Sequence, residues 1–121
     1  TLADWTVALR RLPPELAERV ETVMVTVDPD RDLDVLPGYI ESFVADGVAA
    51  GTPDPGRLAA AAEPFGARYE VTVADDGGVD VAHSGLLYLV DDQGELAVAW
   101  PFGTSSAEMA TDVVQLFEAG A

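Results

Sequence analysis

The sequence predicts an α/β protein whose mixed sheet is flanked by helices. Three observations carry this. In the first half, short Val-rich runs alternate with apolar residues at helical spacing. In the second half, two apolar runs flank Asp91-Asp92-Gln93-Gly94, the pattern of an antiparallel hairpin. A final amphipathic segment then closes the chain. The 121 residues suit one domain, 1–121, with 49% apolar residues to build a core.

The elements follow in order. Thr1 and Asp4 give a capping-box-like start, and Leu2, Trp5, Leu9 and Leu12 recur at helical spacing. Pro13 and Pro14 end that helix, and a short helical segment runs from Pro14 to about Arg19. "VETVMVTVD", residues 20–28, is nearly continuous in apolar character from Val23 and reads as a buried strand. "DPDRD", residues 28–32, is a polar loop whose Asp32 can cap a helix carrying Leu33, Leu36, Tyr39, Ile40 and Phe43 on one face.

"DGVAAGTPDPG" is a short strand between turns. Pro55 suits the first turn of a helix reaching about Phe65, with Gly66 as its C-terminal cap. "ARYEVTVADDGGVDVAHS" reads as strand, acidic turn, strand. After the hairpin, a Ser-capped helix turns Met109, Val113, Leu116 and Phe117 inward. Trp5, Tyr39, Tyr88 and Trp100 read mainly as core. Trp100-Pro101-Phe102 can instead line an exposed docking edge.

Parallel strands joined by helices, then a hairpin and a last helix, make a thioredoxin-like plan. That plan needs a central strand before its first helix, and this sequence starts on the helix. The sheet should therefore have a gap. Residues upstream of Thr1 fill it, or a partner chain does (a homodimer included), or the plan is another one.

Composition narrows the chemistry. Twenty-two acidic residues against six basic ones give a formal charge of −16, which opposes nucleic acid and anionic membranes as partners. It permits a basic protein partner or a cation, and it also simply keeps a domain soluble. With no cysteine, no thiol catalysis and no thiolate metal site can be built from these residues. His83 is the single histidine, and its type alone marks a surface or half-buried polar residue. "PFGTSS" lacks a nucleophile-elbow pattern, and "ADDGG" and "GTPDPG" lack the Lys of a phosphate-binding loop.

Two blocks resemble a known family. "VMVTVDPDRD", with the helix up to "YIESF", resembles the "VtVDPeRDtpexLxxYxxxF" block of the Sco/SenC family of thioredoxin-like copper proteins. "VAHSGLLYLVDDQGELAVAWPFG" resembles that family's "VDHSaxxyLvDpdGxxxxxfpxg" block. The resemblance runs from about Leu2 to Phe117. It implies that a CxxxC motif stands just before the first helix, outside the given residues, so the domain is N-terminally incomplete. It also implies copper bound by those two thiolates and by His83. Soft thiolates suit Cu(I), and imidazole serves both oxidation states. Ala82 stands where the family usually has Asp, so a carboxylate that can orient the imidazole is missing.

The same resemblance implies a metallochaperone rather than an enzyme. It would deliver copper to the dinuclear copper site of cytochrome c oxidase, on subunit II, or reduce that site's cysteines. It would sit outside the cytoplasmic membrane, anchored by an N-terminal segment. Asp28, Asp30, Arg31, Asp32 and Asp80 are candidate residues for supporting the site or docking a partner. Their structural alternative is that Asp32 caps a helix, Arg31 pairs with a carboxylate, and Asp75, Asp76 and Asp80 lie in a solvated turn. Two other readings share the fold. One is a cysteine-less thioredoxin-like interaction module without metal. The other is a thiol–disulfide oxidoreductase missing its cysteines, which the "DPDRD" and "AHS" blocks disfavour.

Overall fold

The computed structural model describes residues 2–77, 79–83 and 86–120, and for 71–73 and 79–83 it describes the backbone. The Thr1 cap expected from sequence lies outside these residues. In chain order the elements are α1 (Leu2–Arg11), α2 (Pro14–Ala17), β1 (Val23–Val25), α3 (Pro29–Asp32), α4 (Leu36–Glu41), β2 (Val48–Ala50), α5 (Pro55–Ala62), β3 (Tyr69–Val73), β4 (Val79–His83), β5 (Leu87–Val90), β6 (Leu96–Trp100) and α6 (Ser106–Glu118). A 3-10 turn, Glu63–Phe65, extends α5 and ends at Gly66, whose φ of 64° supplies the left-handed cap. Among the described residues no helix is long and apolar enough to cross a membrane.

Two compact units emerge. One comprises residues 1–21 and 85–121. In it α1 packs on α6, and α6 packs on β6. Ser105 caps α6 by accepting the Glu108 N–H at 3.1 Å. Met109, Ala110 and Val113 form the buried stripe, while Leu116 and Phe117 are half-buried. Trp5 and Trp100 are both buried, with ring centroids 5.7 Å apart. The Trp100 indole N–H donates to Asp112 Oδ2 at 2.8 Å. The β5–β6 hairpin pairs Leu87 with Trp100 and Leu89 with Val98. Its turn is fixed by Asp91, whose Oδ1 accepts from the N–H groups of Gln93 and Glu95, and by Gly94 at φ 80°. Arg19 lies 4.6 Å over the Phe117 ring.

The other unit comprises residues 22–84. β1 and β2 pair in parallel, Val23 opposite Val48 and Val25 opposite Ala50. α4 packs on β2, and Ile40 is fully buried. A Cβ at Gly47 would stand 2.5 Å from Ile40 Cγ1, so this contact requires glycine. α5 starts on Asp54, whose carboxylate accepts the Gly56 and Arg57 N–H groups, with Pro55 in its first turn. β3 and β4 form an antiparallel hairpin, Tyr69 opposite His83.

Three expectations are corrected. The strand from Val23 is not buried: Val23 and Val25 are 52% and 53% exposed, and the inward positions are Thr22, Met24 and Thr26. A continuous apolar run predicts cover on both faces, but β1 has cover on one. Tyr39 is half-exposed rather than core, its ring tilted against Phe43 with centroids 5.4 Å apart, because Leu36 and Ile40 take the inward positions of α4. Asp32 does not cap the following helix. Pro29 starts α3 earlier, and Asp32 becomes its last residue.

Among the described residues the strands form three two-stranded pieces, β1–β2, β3–β4 and β5–β6, and β1 pairs with β2 alone.

Candidate metal-binding edge and its carboxylate network

His83 is the last residue of β4. The antiparallel register sets it opposite Tyr69, Ala82 opposite Glu70, and Asp80 opposite Thr72. A strand end is a suitable place for a ligand, because the backbone is held by its ladder while the next residues are free to shape a loop. Gly77, at φ 83°, and its N–H bond to the Ala74 carbonyl close the other end of this hairpin. The side chains of Asp80 and His83 lie outside the described set.

The DPDRD segment is built around a residue that sequence reading missed. Thr26 is buried at the end of β1 and donates its hydroxyl to Asp32 Oδ2 at 2.9 Å. The Thr26 hydroxyl oxygen in turn accepts the buried Asp28 N–H at 3.0 Å. Asp28 is itself buried, its residue 8% exposed, and its Oδ2 stands 3.9 Å from Arg31 Nε. Asp28 precedes α3 but does not cap it with its side chain. So Thr26, Asp28, Arg31 and Asp32 come together, the Arg31–carboxylate pairing holds as expected, and Asp30 points to solvent. Gly51 lets β2 approach this corner: a Cβ there would lie 2.8 Å from Thr26 Cγ2 and 2.7 Å from Leu33 Cδ2. The missed signal was Thr26 on the same alternation as Thr22 and Met24.

Replacing Thr26 by Val preserves shape but leaves the buried Asp28 N–H without an acceptor. It should lower stability by about 1–3 kcal/mol, with Thr26→Ser close to the parent, as read by urea denaturation.

Among the described residues no three His, Cys, Asp or Glu side chains converge as a metal site. The 121 residues contain no cysteine, so their donors do not amount to a soft-metal set.

Comparison with known proteins gives the lineage. The family model described as SCO1/SenC matches residues 1–118. The solution structure of apo Sco1 from Thermus thermophilus superposes with a TM-score of 0.83 at 25% identity, over 95% of this chain and 68% of that one. ScoI from Arabidopsis thaliana with copper bound gives 0.80 at 20% identity, over 98% of this chain and 73% of that one. ScoI from Bradyrhizobium japonicum with copper bound gives 0.69 at 23% identity, over 95% and 71%. The last two show likeness of fold. No protein of curated function matches the sequence. The thioredoxin-like plan read from the element order holds against these structures, and the chain belongs to the SCO1/SenC family.

Proposed function

We propose that this chain is the body of a copper carrier of the Sco type, with His83 as one donor to the metal. The observation that carries the reading is the chain's one histidine closing β4 in a member of the SCO1/SenC family. Two solved structures similar in fold carry copper by their descriptions, which supports the same cargo here. A lone imidazole holds copper weakly. The reading therefore takes its two thiolates from a CxxxC segment upstream of Thr1, together with the strand that fills the gap beside β1 or, failing that, a partner chain that completes the sheet. Copper would leave by ligand exchange, target thiolates replacing the carrier's donors one at a time. The recipient is the dinuclear copper site on subunit II of cytochrome c oxidase, outside the cytoplasmic membrane, with the carrier anchored there by its N-terminal segment. The reading is a metallochaperone rather than an enzyme, and thiol–disulfide reduction of the recipient's cysteines would be open to it only through the same upstream thiols.

The test is Cu(I) competition with a chelator on the cysteine-bearing protein. His83→Ala should weaken binding by at least tenfold while the fold persists in circular dichroism; unchanged affinity rules out His83 as a donor. A second reading rests on the absence of cysteine from the sequence. It is a metal-free interaction module of the same fold, and it predicts no copper bound at any length of chain.

A further inference from the structure

We infer that the Pro101–Thr104 turn is a protein-docking anchor whose partner presents an apolar pocket within a cationic surface. Phe102 is 80% exposed, the most exposed of the large apolar side chains described. It is not on a loose loop. The Thr104 N–H donates to the Pro101 carbonyl at 3.1 Å, and the Thr104 hydroxyl donates to the same oxygen at 2.7 Å. Gly103 takes the φ of 92° that the turn needs, and Pro101 restricts the chain ahead of it. The residue before the turn is Trp100, buried and held by Trp5 and Asp112. Ser105, the cap of α6, follows at once. Both ends of the turn are thus fixed, so the backbone that presents Phe102 is ordered before binding, which lowers the cost of using it as an anchor.

Charge selects the occupant. The hairpin, the turn and α6 carry Asp91, Asp92, Glu95, Glu108, Asp112 and Glu118, and residues 69–121 contain no Lys or Arg. The arginines of this unit are Arg10, Arg11 and Arg19, of which Arg19 is engaged over Phe117. A second copy, with the same charge of −16, is repelled, as are nucleic acid and anionic lipid. A cationic protein surface is attracted and oriented.

The choice of probe rests on the proposed function. It is the soluble copper-site domain of oxidase subunit II, titrated against the chain by calorimetry. The parent should bind more weakly as salt rises from about 20 to 200 mM, over which screening of surface charge grows strongly. Phe102→Ser should bind at least tenfold more weakly at either salt. Phe102 is so exposed that the variant should match the parent in circular dichroism. Equal binding by parent and variant overturns the anchor and leaves the copper reading standing. Binding indifferent to salt overturns the cationic partner. No binding by the parent overturns the recipient assignment and this inference with it.

Discussion

Trp100→Ala should destabilise the unit built from α1, β5, β6 and α6 by about 3–5 kcal/mol, the cost of emptying a buried indole site. Burial and two contacts fix that ring. Trp100 is 4% exposed, its ring lies tilted against Trp5, and its N–H is held by the Asp112 carboxylate. Removing the ring leaves a cavity beside Trp5 and deprives Asp112 of its donor. A small domain has about 5–15 kcal/mol in all, so the variant should populate unfolded chain at low denaturant. The parts separate by comparison. Trp100→Phe keeps much of the packing and loses the charge-assisted hydrogen bond, and should cost about 1.5–3 kcal/mol. Fluorescence of Trp5 and far-UV circular dichroism in urea provide the measurement. A midpoint unchanged in Trp100→Ala would mean the ring pair does not organise this unit.

The second large effect lies in the other unit. Ile40→Ala should cost about 2–5 kcal/mol, against about 0.5–1.5 for Ile40→Val. Ile40 is fully buried on α4, and Gly47 is close enough that backbone, not a flexible side chain, forms one wall of its site. Such a wall relaxes little, which places the cost toward the upper end. Amide exchange in β1 and β2 should accelerate, since α4 packs on β2. The chain's two tryptophans lie at positions 5 and 100, in the unit that does not contain Ile40. If 1–121 behaves as one domain, their fluorescence midpoint falls together with the dichroism midpoint.

Legibility from sequence followed the strength of local signals. The β5–β6 hairpin was readable because Asp91 and Gly94 do specific jobs in its turn, and α6 because its Ser cap and apolar period agree. Ends set by competing signals were not readable. Asp32 has the right residue type for a cap, but Pro29 three positions earlier begins helix first, and Thr26 then takes the carboxylate. Hydrophobic runs also say nothing of what covers them. Val23, Val25 and Val48 form an apolar face that is open in these residues, and composition alone reads it as core. The parallel pairing of β1 with β2 was legible because topology is a global constraint: strands joined by a helical crossover run parallel. The candidate site was the least legible part. The role proposed for His83 rests on the family block around it, since one imidazole at a strand end specifies no chemistry.

X-ray absorption at the copper edge of the cysteine-bearing protein tests whether His83 is a copper donor. With His83 bound, the spectrum should show sulfur scatterers together with an imidazole multiple-scattering signal, the latter lost in His83→Ala. A spectrum of sulfur alone, identical in parent and variant, would contradict that assignment.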